Sequence, residues 1–137
     1  PPAMILAADT IVVCDEAILE KPGSVEEARA MLGRLAGSWH VVQSSFCWLD
    51  RESRESHLET LETRVRLREL SEDFIANYAA TGEPLDKAGG YGIQDKGSVL
   101  VEQLEGSYFN VVGLPICEVL EALETMGRLE IHPFLEP

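Results

Sequence analysis

The stretch Met4-Ile5-Leu6-Ala7-Ala8-Asp9-Thr10-Ile11-Val12-Val13 decides the fold class. It is almost continuously apolar and ends on three β-branched residues. An unbroken run of this kind suits a strand covered on both faces, as in an α/β sheet. Asp9 interrupts it. A carboxylate inside an apolar strand is costly unless it is paired, hydrogen-bonded or bound to a metal. Asp9 therefore reads either as a functional group or as a cap on a neighbouring element, and Thr10 projects to the opposite face while the strand stays regular.

Working outward, Asp15-Glu16 gives a turn, and Leu19-Glu20-Lys21-Pro22 leads toward a helix. Ser24 with Glu27 forms a capping box that starts it. Ala28, Met31, Leu32 and Leu35 recur at helical spacing, and Gly37 ends the element. Residues 39–49 read as a second buried strand and residues 50–56 as a charged turn. Residues 58–70 alternate, with Thr63, Val65 and Leu67 on one side and Arg64, Arg66 and Arg68 on the other, which predicts a half-exposed strand in a hairpin with the preceding one. Such an arginine face either binds phosphates or is a solvated face paired with Glu59, Glu62 and Glu69, and the interleaved acids favour the second. Ser71 caps another helix with Glu72 and Asp73 in its first turn. Phe74, Ile75 and Tyr78 form its apolar face, and Gly82 closes it.

Residues 98–104 read as a short strand, followed by a loop through Tyr108-Phe109-Asn110. Pro115 sits at the first turn of a last helix. Ile116, Val119, Leu120 and Leu123 are expected to face the core, with Gly127 as the stop and a loose tail beyond it. The 137 residues are expected to make one domain, without repeat, linker or low-complexity segment.

Between the second and third helices lies Asp86-Lys87-Ala88-Gly89-Gly90-Tyr91-Gly92-Ile93-Gln94. No helix or strand wants that composition. The paired glycines open backbone conformations closed to other residues and let a ligand approach the main chain. Gln94 carries both a donor and an acceptor, which reading a nucleobase edge requires. A plain glycine-rich surface loop is the competing reading. Lys21, before Pro22 and a helix start, is placed to aim its ammonium at an anion, although most such lysines are simply solvated.

Composition sets the frame. The net charge is -13, from 24 acids against 11 bases. Such a surface repels nucleic acid polymers and anionic membranes, so neither is an expected partner. It also repels a free nucleotide, unless basic residues gather in one cleft or a divalent cation screens the phosphates. Cys14, Cys47 and Cys117 are odd in number and lack CxxC spacing, which points to a reducing compartment. Cys14 and Cys117 lie in apolar runs and are expected to be buried. His40, His57 and His132 show no metal-ligand spacing. The apolar run at residues 3–8 has no basic leader and is cut by Asp9, so neither a signal peptide nor a membrane span is expected, and the expected location is cytoplasmic.

Taken together, Ala8-Asp9-Thr10-Ile11-Val12-Val13, Leu19-Glu20-Lys21-Pro22, Tyr78, Gly82-Glu83-Pro84, the loop from Asp86 to Gln94, and Gly106-Ser107-Tyr108-Phe109-Asn110-Val111-Val112-Gly113-Leu114-Pro115 resemble the Maf-like proteins in order and spacing. These are nucleoside triphosphate pyrophosphatases. The Ala28-x-x-Met31-Leu32-x-x-Leu35-x-Gly37-x-x-His40 pattern falls in the same register. The resemblance implies an α/β fold: a twisted mixed sheet flanked by helices, with two lobes around a cleft, related to the inosine triphosphate pyrophosphatases. It implies hydrolysis of a nucleoside triphosphate to the monophosphate and pyrophosphate with a divalent metal, Mg²⁺ or Mn²⁺. By motif position Asp9 would accept the proton of the attacking water and touch the metal, with Asp86 as a second metal-side carboxylate. Lys21 and Lys87 would neutralise phosphate charge. Thr10 and Gln94 match the branch acting on dTTP and UTP, and a glutamine amide can pair with the O4 and N3–H edge of uracil or thymine. The resemblance also leaves a homodimer open.

Two departures from the family pattern stand out. The family carries an S-x-S-P-R-R loop after its first strand, and nothing of that form stands upstream of Asp9 in this sequence. The expectation is a single domain over residues 1–137 lacking that strand and loop, with apolar sheet surface exposed in consequence. The second departure is Gln43-Ser44-Ser45, where the family commonly has threonine and a small residue. Two readings follow: a pyrophosphatase of dTTP and UTP, or a non-catalytic Maf-like nucleotide-binding or interaction protein that has lost its phosphate-clamping arm.

Overall fold

The computed structural model describes residues 3–129. Strands β1 (Met4–Cys14) and β2 (Ala17–Leu19) are joined through Asp15 and Glu16, both at positive φ (49° and 67°). Two such residues in a two-residue connection match the twist of the flanking strands. Helix α1 (Val25–Leu35) follows, then the long hairpin β3 (Trp39–Asp50) and β4 (Ser56–Leu67). Helix α2 (Glu72–Ala80) leads into three short 3₁₀ segments, Glu83–Asp86, Ala88–Gly90 and Asp95–Leu100. Strand β5 (Val101–Glu105), helix α3 (Tyr108–Val112) and helix α4 (Ile116–Thr125) complete the described residues.

The strands form one five-stranded sheet in the order β2-β1-β3-β4-β5. The chain is α/β with a helix-flanked sheet, as expected. Of the mixed strand directions expected, only antiparallel pairings occur among the described residues. The register puts Val12, Val42 and Thr63 side by side on one face, where Val12 and Val42 join Leu32, Leu35, Ile75 and Tyr78 in the main core. Further along the same face, Phe46 packs with Val119 and Ala122 of α4. Burying a Leu, Val or Phe contributes roughly 1.5–3 kcal/mol, so these two clusters fix the helices on one side of the sheet.

Among the described residues nothing covers the opposite face, which corrects the reading of β1 and β3 as strands buried on both sides. Asp9, Ser45 and Thr60 lie in one cross-strand row there, and the Ser45 and Thr60 hydroxyls meet at 2.7 Å. Ile5 is 44% and Leu58 72% exposed. An apolar run cannot by itself distinguish a strand covered twice from one left open on one side. Because β2 pairs only with residues 12–14, residues 4–11 of β1 also form a free sheet edge among the described residues. Asp9 is accordingly exposed rather than buried, so the cost of a buried charge is not what marks it.

Other expectations hold at the caps. The Ser24 hydroxyl accepts from the Glu27 backbone N–H at 3.2 Å, and the Ser71 hydroxyl from that of Phe74 at 3.1 Å. The arginine face of β4 is ion-paired, but across to β5: Arg64 to Glu105 at 2.8 Å and Arg66 to Glu102 at 3.3 Å. Several placements differ. The expected loop at Tyr108-Phe109-Asn110 is the short helix α3, started by the Ser107 hydroxyl, which accepts from the Asn110 N–H. Ile116, Leu120 and Phe74 are exposed, and Cys117 is exposed while Cys14 is buried. On α4 the buried stripe runs through Val119 and Ala122 because only one side of that short helix meets Phe46. His132 and the expected tail beyond residue 129 lie outside the described residues. No helix among those described is long and apolar enough to cross a membrane.

Candidate functional site

A cleft of about 370 Å³ opens where β1, the segment from Asp86 to Asp95 and the stretch Val111-Val112-Gly113 meet. All six residues singled out in the sequence, Asp9, Thr10, Lys21, Asp86, Lys87 and Gln94, line it. They come from three separated parts of the chain and are gathered by the sheet register and the 3₁₀ turns. A second cavity of about 350 Å³ adjoins it at the edge of β1 and shares Asp9, Thr10, Lys21 and Ala88.

Asp9 stands at the free edge of β1, where its Oδ1 accepts from the Thr10 backbone N–H at 2.9 Å. That bond fixes the carboxylate beside its own strand and leaves the other oxygen available. Lys21 enters from beyond β2 and lines both cavities. Across the cleft the Lys87 ammonium lies 3.2 Å from Asp86 Oδ1. Its hydrogen bond and positive charge hold the Asp86 carboxyl below the usual carboxylate range, with Lys21 adding a smaller effect in the same direction. Two lysines and three carboxylates, Asp9, Asp86 and Asp95, thus face one opening on a chain whose net charge is -13. The acids outnumber the bases even here, so an anionic ligand depends on direct contact with the two ammonium groups and on a cation that screens the remaining charge.

The glycine-rich segment is built against the core rather than hung from it. Gly89 has φ +77°, and a Cβ there would meet the Val12 side chain at 3.0–3.3 Å. Only glycine lets the loop lie this close to β1. Tyr91 turns inward and is 5% exposed, while Gln94 remains exposed at the cleft. The plain surface loop is therefore not what this segment forms.

Thr10 is committed within the protein. Its Oγ1 donates to the Gly113 carbonyl at 3.1 Å and lies 2.8 Å from Ser44 Oγ, and Ser44 in turn donates to the Asn110 carbonyl at 3.1 Å. Asn110 is fully buried, and its Nδ2 lies within hydrogen-bond distance of Val42 O, Leu61 O and Thr63 Oγ1. These bonds fasten the far wall of the cleft to the sheet. Sequence reasoning gave Ser44 and Asn110 no role. The polar Ser44 at an inward position of β3 was the available signal, and its departure from the family pattern falls directly behind the cleft wall.

Among the described residues no group of three or more His, Cys, Asp or Glu side chains gathers to hold a metal. Asp9 and Asp86 facing one cleft form a sparse, all-oxygen donor set. That set fits a hard cation such as Mg²⁺, which takes one or two carboxylates and completes its shell with water and phosphate oxygens.

The family profile described as "Maf-like protein" matches residues 1–126. The chain is similar to proteins named dTTP/UTP pyrophosphatase from three organisms. That of Syntrophomonas wolfei subsp. wolfei is 50% identical over 124 residues, covering 90% of this chain and 66% of the relative. That of Thermococcus kodakarensis is 47% identical, covering 91% and 65%, and that of Citrifermentans bemidjiense 46%, covering 90% and 64%. The chain thus spans a little under two thirds of the length of these relatives. With the profile matched over nearly all of the sequence and the motif residues gathered in one cleft, this chain belongs to the Maf-like protein family.

Proposed function

We propose that the protein is a nucleoside triphosphate pyrophosphatase that hydrolyses dTTP and UTP to the nucleoside monophosphate and pyrophosphate. The observation that supports this best is the convergence of Asp9, Lys21, Asp86, Lys87 and Gln94 on a single cleft. The names of the relatives point the same way.

In this reading Asp9 positions a water against the α-phosphorus and takes its proton as the new P–O bond forms and the bond to pyrophosphate breaks. Lys21 and Lys87 bind the phosphates, and their charges act most strongly on the charge that builds on the departing pyrophosphate. Asp9 and Asp86 would hold Mg²⁺ or Mn²⁺, which when bound neutralises phosphate charge. Gln94 meets the O4 and N3–H edge of the pyrimidine with its amide. Thr10 belongs to the substrate site through the wall it holds at Gly113. The three cysteines and the nucleotide substrate suit a cytoplasmic setting.

The test is product analysis with Mg²⁺ or Mn²⁺ over a panel of dTTP, UTP, CTP and 7-methyl-GTP. Equimolar monophosphate and pyrophosphate from dTTP and UTP is the expected result. Tight nucleotide binding with no turnover anywhere in the panel would instead identify a non-catalytic nucleotide-binding protein.

A further inference from the structure

Beyond the six cleft residues, one pair, a buried tyrosine and a half-buried glutamate, ties down the part of the site that carries Gln94. Tyr78 of α2 is 5% exposed, and its hydroxyl donates to Glu83 Oε1 at 2.9 Å. The same hydroxyl accepts from the Gly92 backbone N–H at 3.3 Å, and the same Glu83 oxygen accepts from the Gly97 N–H at 2.9 Å. Between Gly92 and Gly97 runs the short arch Ile93-Gln94-Asp95-Lys96. Ile93, Gln94 and Asp95 line the cleft. Both ends of the arch are therefore bonded to one tyrosine–glutamate pair.

The arch needs such fastening. Asp95 within it has φ +55°, a left-handed conformation uncommon outside glycine that aspartate adopts more readily than most residues. The two ends also approach as closely as backbone allows: a Cβ at Gly97 would collide with the Gly92 carbonyl and come within 2.7 Å of the Tyr78 hydroxyl. The Lys87 stem crosses Gly92 so closely that a Cβ there would collide with it. The position of Lys87 is thus set against the same anchored glycine. Burial pushes the Tyr78 hydroxyl well above its ordinary pKa, so it stays protonated and able to donate.

We infer that Tyr78 and Glu83 are positioning residues for nucleobase selection: together they staple the Gly92–Gly97 arch and so fix where the Gln94 amide stands. The inference rests on the reading of Gln94 as the base-contacting residue. Neither Tyr78 nor Glu83 lines the cleft, so both act through the arch.

The experiment compares Tyr78→Phe, Glu83→Ala and Glu83→Gln with the unmodified protein. It measures kcat and KM for dTTP, UTP and a purine triphosphate, and equilibrium binding of non-hydrolysable analogues of each. Glu83→Gln keeps an oxygen that can accept from Tyr78 and Gly97 and should retain the pyrimidine preference. Tyr78→Phe and Glu83→Ala should raise KM for dTTP and UTP about tenfold and erode the preference over purine, with kcat changing less. Simple loss of folded protein would lower the apparent kcat and leave KM and the preference ratio unchanged, and that result would overturn the inference. Unaltered preference in well-folded variants would overturn it equally, with the reading of Gln94 intact. A lack of pyrimidine preference in the unmodified protein, in turnover and in binding alike, would remove the reading of Gln94 and the inference with it.

Discussion

His40 Nε2 lies 2.6 Å from the Tyr91 hydroxyl, joining β3 to the glycine-rich segment beneath the cleft. The two rings meet edge to face, and both residues are almost fully buried. Burial lowers the His40 pKa to about 4, so the ring is neutral in the folded protein at physiological pH. Unfolded, it would titrate near its ordinary value of about 6.5. Between these two values the unfolded chain binds the extra proton, so stability falls as pH drops from about 6.5 to 4 and levels off below. The full contribution is about 3 kcal/mol. Urea denaturation across this range should show the loss. The double variant His40→Leu/Tyr91→Phe, which removes both polar partners, should flatten that part of the profile. An unchanged slope in the double variant would show that His40 is not its source.

Asp9→Asn keeps the size of the side chain and an oxygen able to accept from the Thr10 N–H, but removes the basic carboxylate. Turnover should fall by at least about 100-fold. Nucleotide binding, carried mainly by the lysines and Gln94, should persist. Titration calorimetry with a non-hydrolysable dTTP analogue, run beside the kinetic assay, checks both halves. Undiminished turnover would remove Asp9 from the chemistry.

For Gln94→Glu the change is one of charge at constant shape. A carboxylate facing O4 of the pyrimidine loses the donor and adds repulsion, so KM for dTTP and UTP should rise by about tenfold or more, a cost of about 1.4 kcal/mol. Equal kinetics for the two proteins would mean that Gln94 does not read the base.

Gly89→Ala tests the packing of the loop on β1. The added methyl meets Val12 at 3.0–3.3 Å in a backbone conformation with φ +77°. Strain of this kind costs about 2 kcal/mol, which should appear as a lower thermal midpoint. In a double-mutant cycle with Val12→Ala, which itself costs stability because Val12 is a core residue, the coupling between the two changes should equal the steric part alone, because the φ remains unfavourable. A midpoint unchanged in Gly89→Ala would show that the loop does not lie against the strand.

Much of this architecture was legible in the chain. The capping serines announced α1 and α2, since a hydroxyl followed three residues later by an accessible N–H is a local device that needs no tertiary context. Alternation in β4 gave its buried side correctly because Thr63, Val65 and Leu67 obey period two without interruption. The cleft residues were found as motif positions, and the fold gathers all of them. What was not legible depended on partners distant in sequence. The apolar character of β1 did not reveal that one of its faces is open, because exposure depends on which elements pack there. The buried stripe of α4 was misassigned in part, Val119 being buried and Ile116 and Leu120 exposed, because its four apolar candidates outnumber the positions that Phe46 and its neighbours can cover. Ser44 and Asn110 were missed because the hydrogen bonds of their side chains join residues 34 to 68 positions apart.

The most direct test of the central proposal is to run dTTP hydrolysis in water enriched in ¹⁸O and locate the label by mass spectrometry. Attack on the α-phosphorus, with Asp9 taking the proton, predicts ¹⁸O in the thymidine monophosphate and none in the pyrophosphate. Label in pyrophosphate, or release of labelled orthophosphate, would place the attack on another phosphorus and contradict the account.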